Sequence, residues 1–432
     1  MALAGARPFG APSQSQTQIS RRVVAATVIG NALEFYDFVT YAFFAVYIGK
    51  AFFPAATPLG SLLLSVAVFG VGFVTRPLGG ILIGSYADRA GRKPALLLTI
   101  ALITVGTLGL ALTPSYEAIG WAAPAIVVTA RLVQGLALGG EIGPSSAFLI
   151  ESAPGRQRGL YGNWQLASQG LATLVAGSIG MAVSSTLPAE DLQSWGWRIP
   201  FAVGLLLIPV AIYLRREMPE TLHHAADSAA PMAPASLRQH RRLIALAVLV
   251  VLGGTVSTYV GNYMTTYAIT TLKLPPATAM AATVVTGVTT FVFALAGGWL
   301  CDRYGRRRVM LVPRLLAAVL SYPAFWLLTE QRSASALFAA TALLGALTAL
   351  SGAASLVAIP ELLPRRIRAV GMSIAYAIGV ALFGGSTQFV ITWLIDVTGN
   401  PTAPAWYVTA TSLVAAIGMY LLPEGRNKVL EH

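Results

Sequence analysis

Gly84-Ser85-Tyr86-Ala87-Asp88-Arg89-Ala90-Gly91-Arg92-Lys93 recurs 214 positions later as Gly298-Trp299-Leu300-Cys301-Asp302-Arg303-Tyr304-Gly305-Arg306-Arg307. In a chain of 432 residues that offset is close to half the length. A second pair keeps nearly the same spacing: Glu151, Pro154 and Arg158 match Glu361, Pro364 and Arg368 at an offset of 210. Two motifs repeating at one period indicate a duplicated architecture. Each copy of the first motif lies between two long apolar runs, so the repeated unit is a basic hairpin joining two membrane-spanning helices.

Composition agrees. Charged residues make up 11% of the chain and apolar residues 56%, against roughly a quarter charged in an ordinary soluble domain. The net charge of +12 would suggest nucleic acid in a soluble protein. Here the basic residues fall in short loops between apolar runs, so membrane orientation is the better account and no nucleic-acid partner is expected. One cysteine, Cys301, excludes an internal disulfide framework and a cysteine metal cluster.

Twelve apolar runs are long enough to span a bilayer as helices: 22–49, 60–86, 94–113, 119–142, 162–185, 197–214, 243–270, 278–300, 308–328, 334–358, 368–395 and 405–422. The predicted fold is therefore an all-α integral membrane protein of two pseudo-symmetric six-helix bundles, residues 22–214 and 243–422. Residues 215–242 are hydrophilic and read as a cytoplasmic linker. Residues 1–21 read as a disordered cytoplasmic tail, being polar and without the pattern of a secretory signal, and residues 423–432 as a second tail. Of the 29 Lys and Arg residues, 22 fall on the side of the termini, four on the other side (Lys50, Arg198, Lys273, Arg332) and three within spans (Arg76, Arg131, Arg314). That bias predicts both termini in the cytoplasm of a cell whose inner or plasma membrane holds the chain.

The hairpin resembles the loop motif of the major facilitator superfamily, twelve-span secondary transporters built from two six-span halves. Further stretches resemble its metabolite–proton symporter family: Gly30-Asn31-Ala32-Leu33-Glu34-Phe35-Tyr36-Asp37-Phe38, Arg76-Pro77-Leu78-Gly79-Gly80, Arg131-Leu132-Val133-Gln134-Gly135 through Glu141, and Trp195-Gly196-Trp197-Arg198-Ile199-Pro200. Span 11, Ala381-Leu382-Phe383-Gly384-Gly385-Ser386-Thr387, is similar to the citrate and tricarballylate branch. The chain departs from that branch at Leu350-Ser351-Gly352-Ala353, at Pro360-Glu361 and at Pro144. The resemblance implies proton-coupled symport of an organic carboxylate, citrate or a related tricarboxylate, with 2-oxoglutarate, other dicarboxylates, shikimate, proline or betaine as alternatives. It also implies a monomer whose partners are a small organic anion, protons and the lipid bilayer, without cofactor or metal.

Charges within spans are costly and mark function. Arg131 lies mid-span, with Gln134 three residues on along the same face, and a guanidinium there suits a planar carboxylate. The competing reading is an internal pair with Glu34 or Asp37. Those two carboxyls share one face of span 1 and would resist simultaneous ionisation, so one of them is expected to carry the proton. Gln165, Gln169, Asn262 and Tyr263 are expected to join Arg131 and Gln134 in contacting substrate. Gly84, Asp88, Arg89 and Arg92, with Asp302, Arg303, Arg306 and Glu141, are expected to act in gating. Gly84 and Gly298 would let spans approach closely. Arg76 is left open, and Arg314, near a span end, reads as an interface anchor. No P-loop or paired His/Cys spacing supports an enzyme, and His223 and His224 in the linker read as solvated. A non-transporting nutrient sensor is the remaining alternative.

Overall fold

The computed structural model describes residues 21–90, 92–139, 157–216, 239–363, 374–376 and 378–423. The described residues form helices and connecting turns, without a strand. Ten of these helices are long and apolar enough to cross a membrane, among them Pro58–Tyr86 (span 2), Ala122–Gly139 (span 4), Arg158–Thr186 (span 5), Arg241–Thr270 (span 7) and Pro276–Tyr304 (span 8). Span 9 is Arg306–Gln331, span 10 Ala334–Leu362 and span 11 Ile374–Thr398. Spans 1 and 6 complete the twelve. Span 1, Arg21–Phe43, carries Asn31, Glu34 and Asp37, which lower its hydropathy, and continues past Phe44 as Ala45–Phe52. Span 6 is Ile199–Arg216.

The helices overrun the apolar runs where a charged turn is still helical. Span 8 continues through Asp302 and Arg303 to Tyr304, and helices reach Arg216 and restart at Arg241, narrowing the expected linker from both ends. Residues 1–20, 217–238 and 424–432, and Glu141, lie outside the described residues.

Local chemistry sets the ends. Pro58 opens span 2 behind Thr57, whose hydroxyl accepts the Gly60 N–H at 3.0 Å, and Ser333 caps span 10 through Ala336 N–H at 3.2 Å. Between spans 8 and 9 the whole turn is Gly305, at φ +93°, a backbone conformation that a side chain would strain. Its N–H bonds Cys301 O at 3.1 Å. The glycine of the repeated motif thus reverses the chain in one residue.

Spans 2 and 4 pack through small residues. A Cβ on Gly135 would collide with Gly72 O, and one on Gly79 with Leu136 O, so helix axes here are as close as backbones allow. The outward surface stays apolar: Val74, Ile81, Val105, Leu206, Val319 and Ile417 are all exposed, a belt that needs lipid rather than water.

The halves meet along two seams. Spans 5 and 8 run antiparallel, with Gly159 against Gly298, Gly170 against Gly287 and Phe291, and Gly177 against Thr283. Span 2 meets span 11 where Gly70 faces Gly385. Between the seams lies a central cavity.

Candidate functional site

The cavity contains about 1500 Å³ of unfilled space, counting the part open to solvent. Span 7 lines it most heavily, through Gly254, Ser257, Thr258 and Asn262, and span 10 presents Thr341, Gly345, Thr348, Gly352 and Ser355. These span 10 residues recur at helical spacing, so small and hydroxylated side chains mark one face. The N-terminal half contributes Phe35, Arg76, Leu166, Gln169 and Thr173.

Among the described residues Arg76 is the one cationic residue on this lining. It is 8% exposed, and its Nε has no hydrogen-bond partner. Its guanidinium lies over the rings of Phe73 (3.9 Å) and Phe38 (4.6 Å) and faces Tyr259 and Tyr376. Among the described residues no carboxylate lies within ion-pair distance of it. Aromatic faces hold the cation in place without neutralising it, so an anion entering the cavity meets an unspent charge. Pro77 and the close packing of Gly79 on span 4 set the position of this residue in span 2.

Asn262 and Gln169 also line the cavity, and Asn262 Nδ2 is buried without a partner. Gln165 and Tyr263 do not. The backbone carbonyl of Gln165 accepts Asn31 Nδ2 at 3.3 Å, while Asn31 also donates to Ser168 Oγ at 2.6 Å, tying span 1 to span 5. Tyr263 turns into the C-terminal half, where Thr392 donates to its hydroxyl at 2.9 Å.

Arg131 and Gln134, expected in the cavity, lie behind it. Arg131 Nη1 donates to Gln134 Oε1 at 2.7 Å, and Gln134 Nε2 donates to Asp37 Oδ2. The anticipated pairing of Arg131 with a span 1 carboxylate is thus relayed by an amide. Arg131 packs over the rings of Tyr41 (4.5 Å), Phe38 (5.2 Å) and Phe69 (5.2 Å). Phe38 therefore touches both Arg131 and Arg76, linking the relay to the cavity.

Glu34 and Asp37 share a separate crevice with Ile100, Ile103, Thr107 and Leu207, between spans 1 and 6 and span 3, Pro94–Leu112. Asp37 is 5% exposed, and its Oδ1 is buried without a partner. The two carboxyls are near each other, as their spacing predicts, but face away from the central cavity.

At the basic end the contacts among the described residues are those of the second hairpin. Asp302 accepts the backbone N–H groups of Gly159 at 2.9 Å and Leu160 at 3.1 Å, across the seam between halves. Arg306 binds both oxygens of Glu361 at 2.8 Å, with Cys301 O at 3.1 Å and Asp302 at 3.6 Å. Gly298 packs on Gly159 O, as close approach requires, whereas a Cβ on Gly84 would meet nothing among the described residues. Arg303 is exposed and lies over Trp299 and Tyr304 of its own helix, outside the Asp302 contact. Arg89 is exposed, and the side chains of Asp88 and Arg92 lie outside the described residues.

Arg314 corrects another expectation. It does not reach the interface but is fully buried, because Gly253 O (2.9 Å), Ser257 Oγ (2.8 Å) and Ser351 Oγ (3.3 Å) hold it inside the C-terminal half.

Comparison with known proteins matches this architecture. Residues 23–230 match the family described as Sugar (and other) transporter, and residues 246–431 match the Major Facilitator Superfamily. The chain is similar to a citrate–proton symporter of Salmonella typhi, 36% identical over 408 residues, covering 93% of this chain and 94% of the relative. It is also similar to an alpha-ketoglutarate permease of Escherichia coli, 35% identical over 429 residues, covering 95% and 96%. A crystal structure of a D-xylose–proton symporter shares the fold at TM-score 0.79 and 19% identity, covering 95% of this chain and 99% of that one. These relatives are carriers, and the protein is a transporter rather than an enzyme. Duplicated hairpins, twelve spans and full-length similarity together make the chain a member of the major facilitator superfamily, in its metabolite–proton symporter family.

Proposed function

We propose that the protein is a proton-coupled symporter of an organic carboxylate, with citrate or a related tricarboxylate as cargo, working by alternating access. The observation that carries the reading is Arg76, a buried guanidinium on the central cavity with no carboxylate partner among the described residues. Similarity to a citrate–proton symporter supports the cargo. A dicarboxylate is the second reading, favoured by the comparable similarity to an alpha-ketoglutarate permease.

Arg76 takes a carboxylate in this reading, and Asn262 and Gln169 offer amides to the rest of the substrate. Asp37 carries the proton. When ionised it accepts from Gln134, which in turn accepts from Arg131. Protonation removes the negative charge facing that relay. Arg131 is then uncompensated and, across Phe38, adds its field to that of Arg76. Proton loading thereby strengthens anion binding, and by linkage a bound anion favours protonation. The Lys/Arg distribution supports cytoplasmic termini in an inner membrane, with the Asp302–Gly159 contact as a cytoplasmic closure between six-span halves.

The test is uptake of labelled citrate into proteoliposomes under an inward proton gradient, with and without a protonophore. Gradient-driven uptake abolished by the protonophore is expected. Absence of citrate uptake, with unlabelled dicarboxylates or betaine serving instead, would remove citrate as cargo.

A further inference from the structure

Asp37 is bonded through one of its two oxygens. Oδ2 accepts from Gln134, while Oδ1 is buried without a partner among the described residues. The residue lines the crevice between spans 1, 3 and 6, and the central cavity is lined by others. The crevice contains about 360 Å³ of unfilled space, counting the part open to solvent, against about 1500 Å³ in the cavity. Its described lining belongs wholly to the N-terminal half, so the seams between the halves do not run through it.

The lining selects what could use this opening. Apart from Glu34 and Asp37 its walls are aliphatic, with Thr107 and Gly204 as the exceptions. An organic anion would meet two carboxyls there and no cation. A metal ion would find few oxygens, because Thr107 donates to Ile103 O at 2.9 Å and no group of three His, Cys or acidic residues occurs among the described residues. Water takes about 30 Å³ and needs two or more polar partners, which Glu34, Asp37 and Thr107 offer. A hydrated proton therefore suits the crevice in both size and charge. Of the groups around Asp37, Glu34 on its own helix is the second carboxyl, and the Tyr36 hydroxyl donates to Pro200 O at 2.8 Å. Arg131 of span 4 reaches it through Gln134, and spans 3 and 6 present no titratable group to the crevice.

Gly204 of span 6 stands in front of the unpartnered oxygen. A Cβ there would lie 3.8 Å from Asp37 Oδ1 and 3.2 Å from the Tyr36 ring, so a larger residue would fill the approach. We infer that protons reach Asp37 through this crevice rather than through the cargo cavity, and that Gly204 keeps the way to Oδ1 open. The inference rests on Asp37 as carrier of the coupling proton and adds its route. A hydronium ion gives its proton to Oδ1 and leaves as water, turning the carboxylate into the acid. Cargo in the central cavity does not block this step, so the proton can arrive before or after it.

Hydrogen–deuterium exchange of the Asp37 carboxyl tests the route, followed by infrared absorption of the full-length protein after mixing with D2O at a pH where the acid is populated. The band is identified by its loss in Asp37→Asn. Gly204→Val should slow the exchange several-fold. Leu207→Trp, on the same wall, should do so too, and it decides the matter if Gly204→Val does not fold. Plugging the cargo cavity with a bulky maleimide on Gly352→Cys, in a Cys301→Ser background, should leave the exchange rate unchanged. Exchange that is unchanged in the folded crevice variants, or that stops when the cavity is plugged, overturns the route while Asp37 remains the carrier. A protein with no Asp37-dependent acid band at any pH overturns both.

Discussion

Asp302 accepts the backbone N–H of Gly159 at 2.9 Å, a bond between residues 143 positions apart and in opposite halves of the bundle. Leu160 N–H reaches the other oxygen of the same carboxylate at 3.1 Å, so a side chain from span 8 caps the first turn of span 5. A carboxylate at a helix start satisfies N–H groups that have no partner within the helix and meets the positive end of its dipole. In the proposed alternating-access cycle this contact breaks when the two halves part at the basic end.

Replacing it should therefore shift a conformational balance more than overall stability. Asp302→Asn is expected to weaken the closed arrangement by about 1–3 kcal/mol, the cost of a lost charge-assisted bond. In a Cys301→Ser background, a thiol reagent applied at the basic end should label Gly352→Cys, on the cavity lining, several-fold faster when Asp302→Asn is added. Equal labelling rates would show that the bond does not hold the closure.

Arg76→Lys keeps the charge but loses the planar fork and its stacking on Phe38 and Phe73. Uptake of citrate should fall by about tenfold or more, with amounts of folded protein near wild type, since no ion pair is broken. Arg76→Gln should be worse. Wild-type uptake by Arg76→Gln would remove this residue from the binding site.

Asp37→Asn should separate transport from its driving force. Without an ionisable group at the end of the Gln134–Arg131 relay, accumulation driven by a proton gradient should vanish while exchange of labelled for unlabelled substrate persists. Comparing gradient-driven uptake with counterflow in the same vesicles checks this. Loss of both would instead assign Asp37 a structural role.

The glycines should divide by what surrounds them. Gly135→Val drives a side chain into Gly72 O and should destabilise the N-terminal half by about 1–3 kcal/mol or more, read as a lowered melting temperature in detergent. Gly84→Val, where a Cβ meets nothing among the described residues, should leave the melting temperature near wild type. Equal losses would contradict the spacing of spans 2 and 4.

Apolar length, the repeat and the intramembrane charges were enough to read twelve spans in two halves and to single out Arg131 and the pair Glu34 and Asp37, and polar residues at helical spacing added Asn262. They also marked Asp302 and Arg306, because a duplicated motif with its acid and base retained is visible without coordinates. A linear pattern reports which residues share a face of one helix. It does not report which neighbour that face meets, because rotation and tilt come from packing of whole bundles. Thus Arg131 and Arg76 were alike as buried cations, and tertiary packing alone put Arg131 behind the aromatic cluster and Arg76 on the cavity. The same holds for Gly298, visible in the repeat although its partner Gly159 comes from a span of the other half. Arg314 is the clearest case. Its distance from a span end predicted an interface anchor, yet Gly253, Ser257 and Ser351 come from two other spans to enclose it. The sequence by itself determined the membrane class, the repeat and the inventory of charges, since these follow from composition along the chain. Tertiary structure decided which charges are relayed, which face the cavity and which join the halves, since that depends on side chains brought together from distant helices.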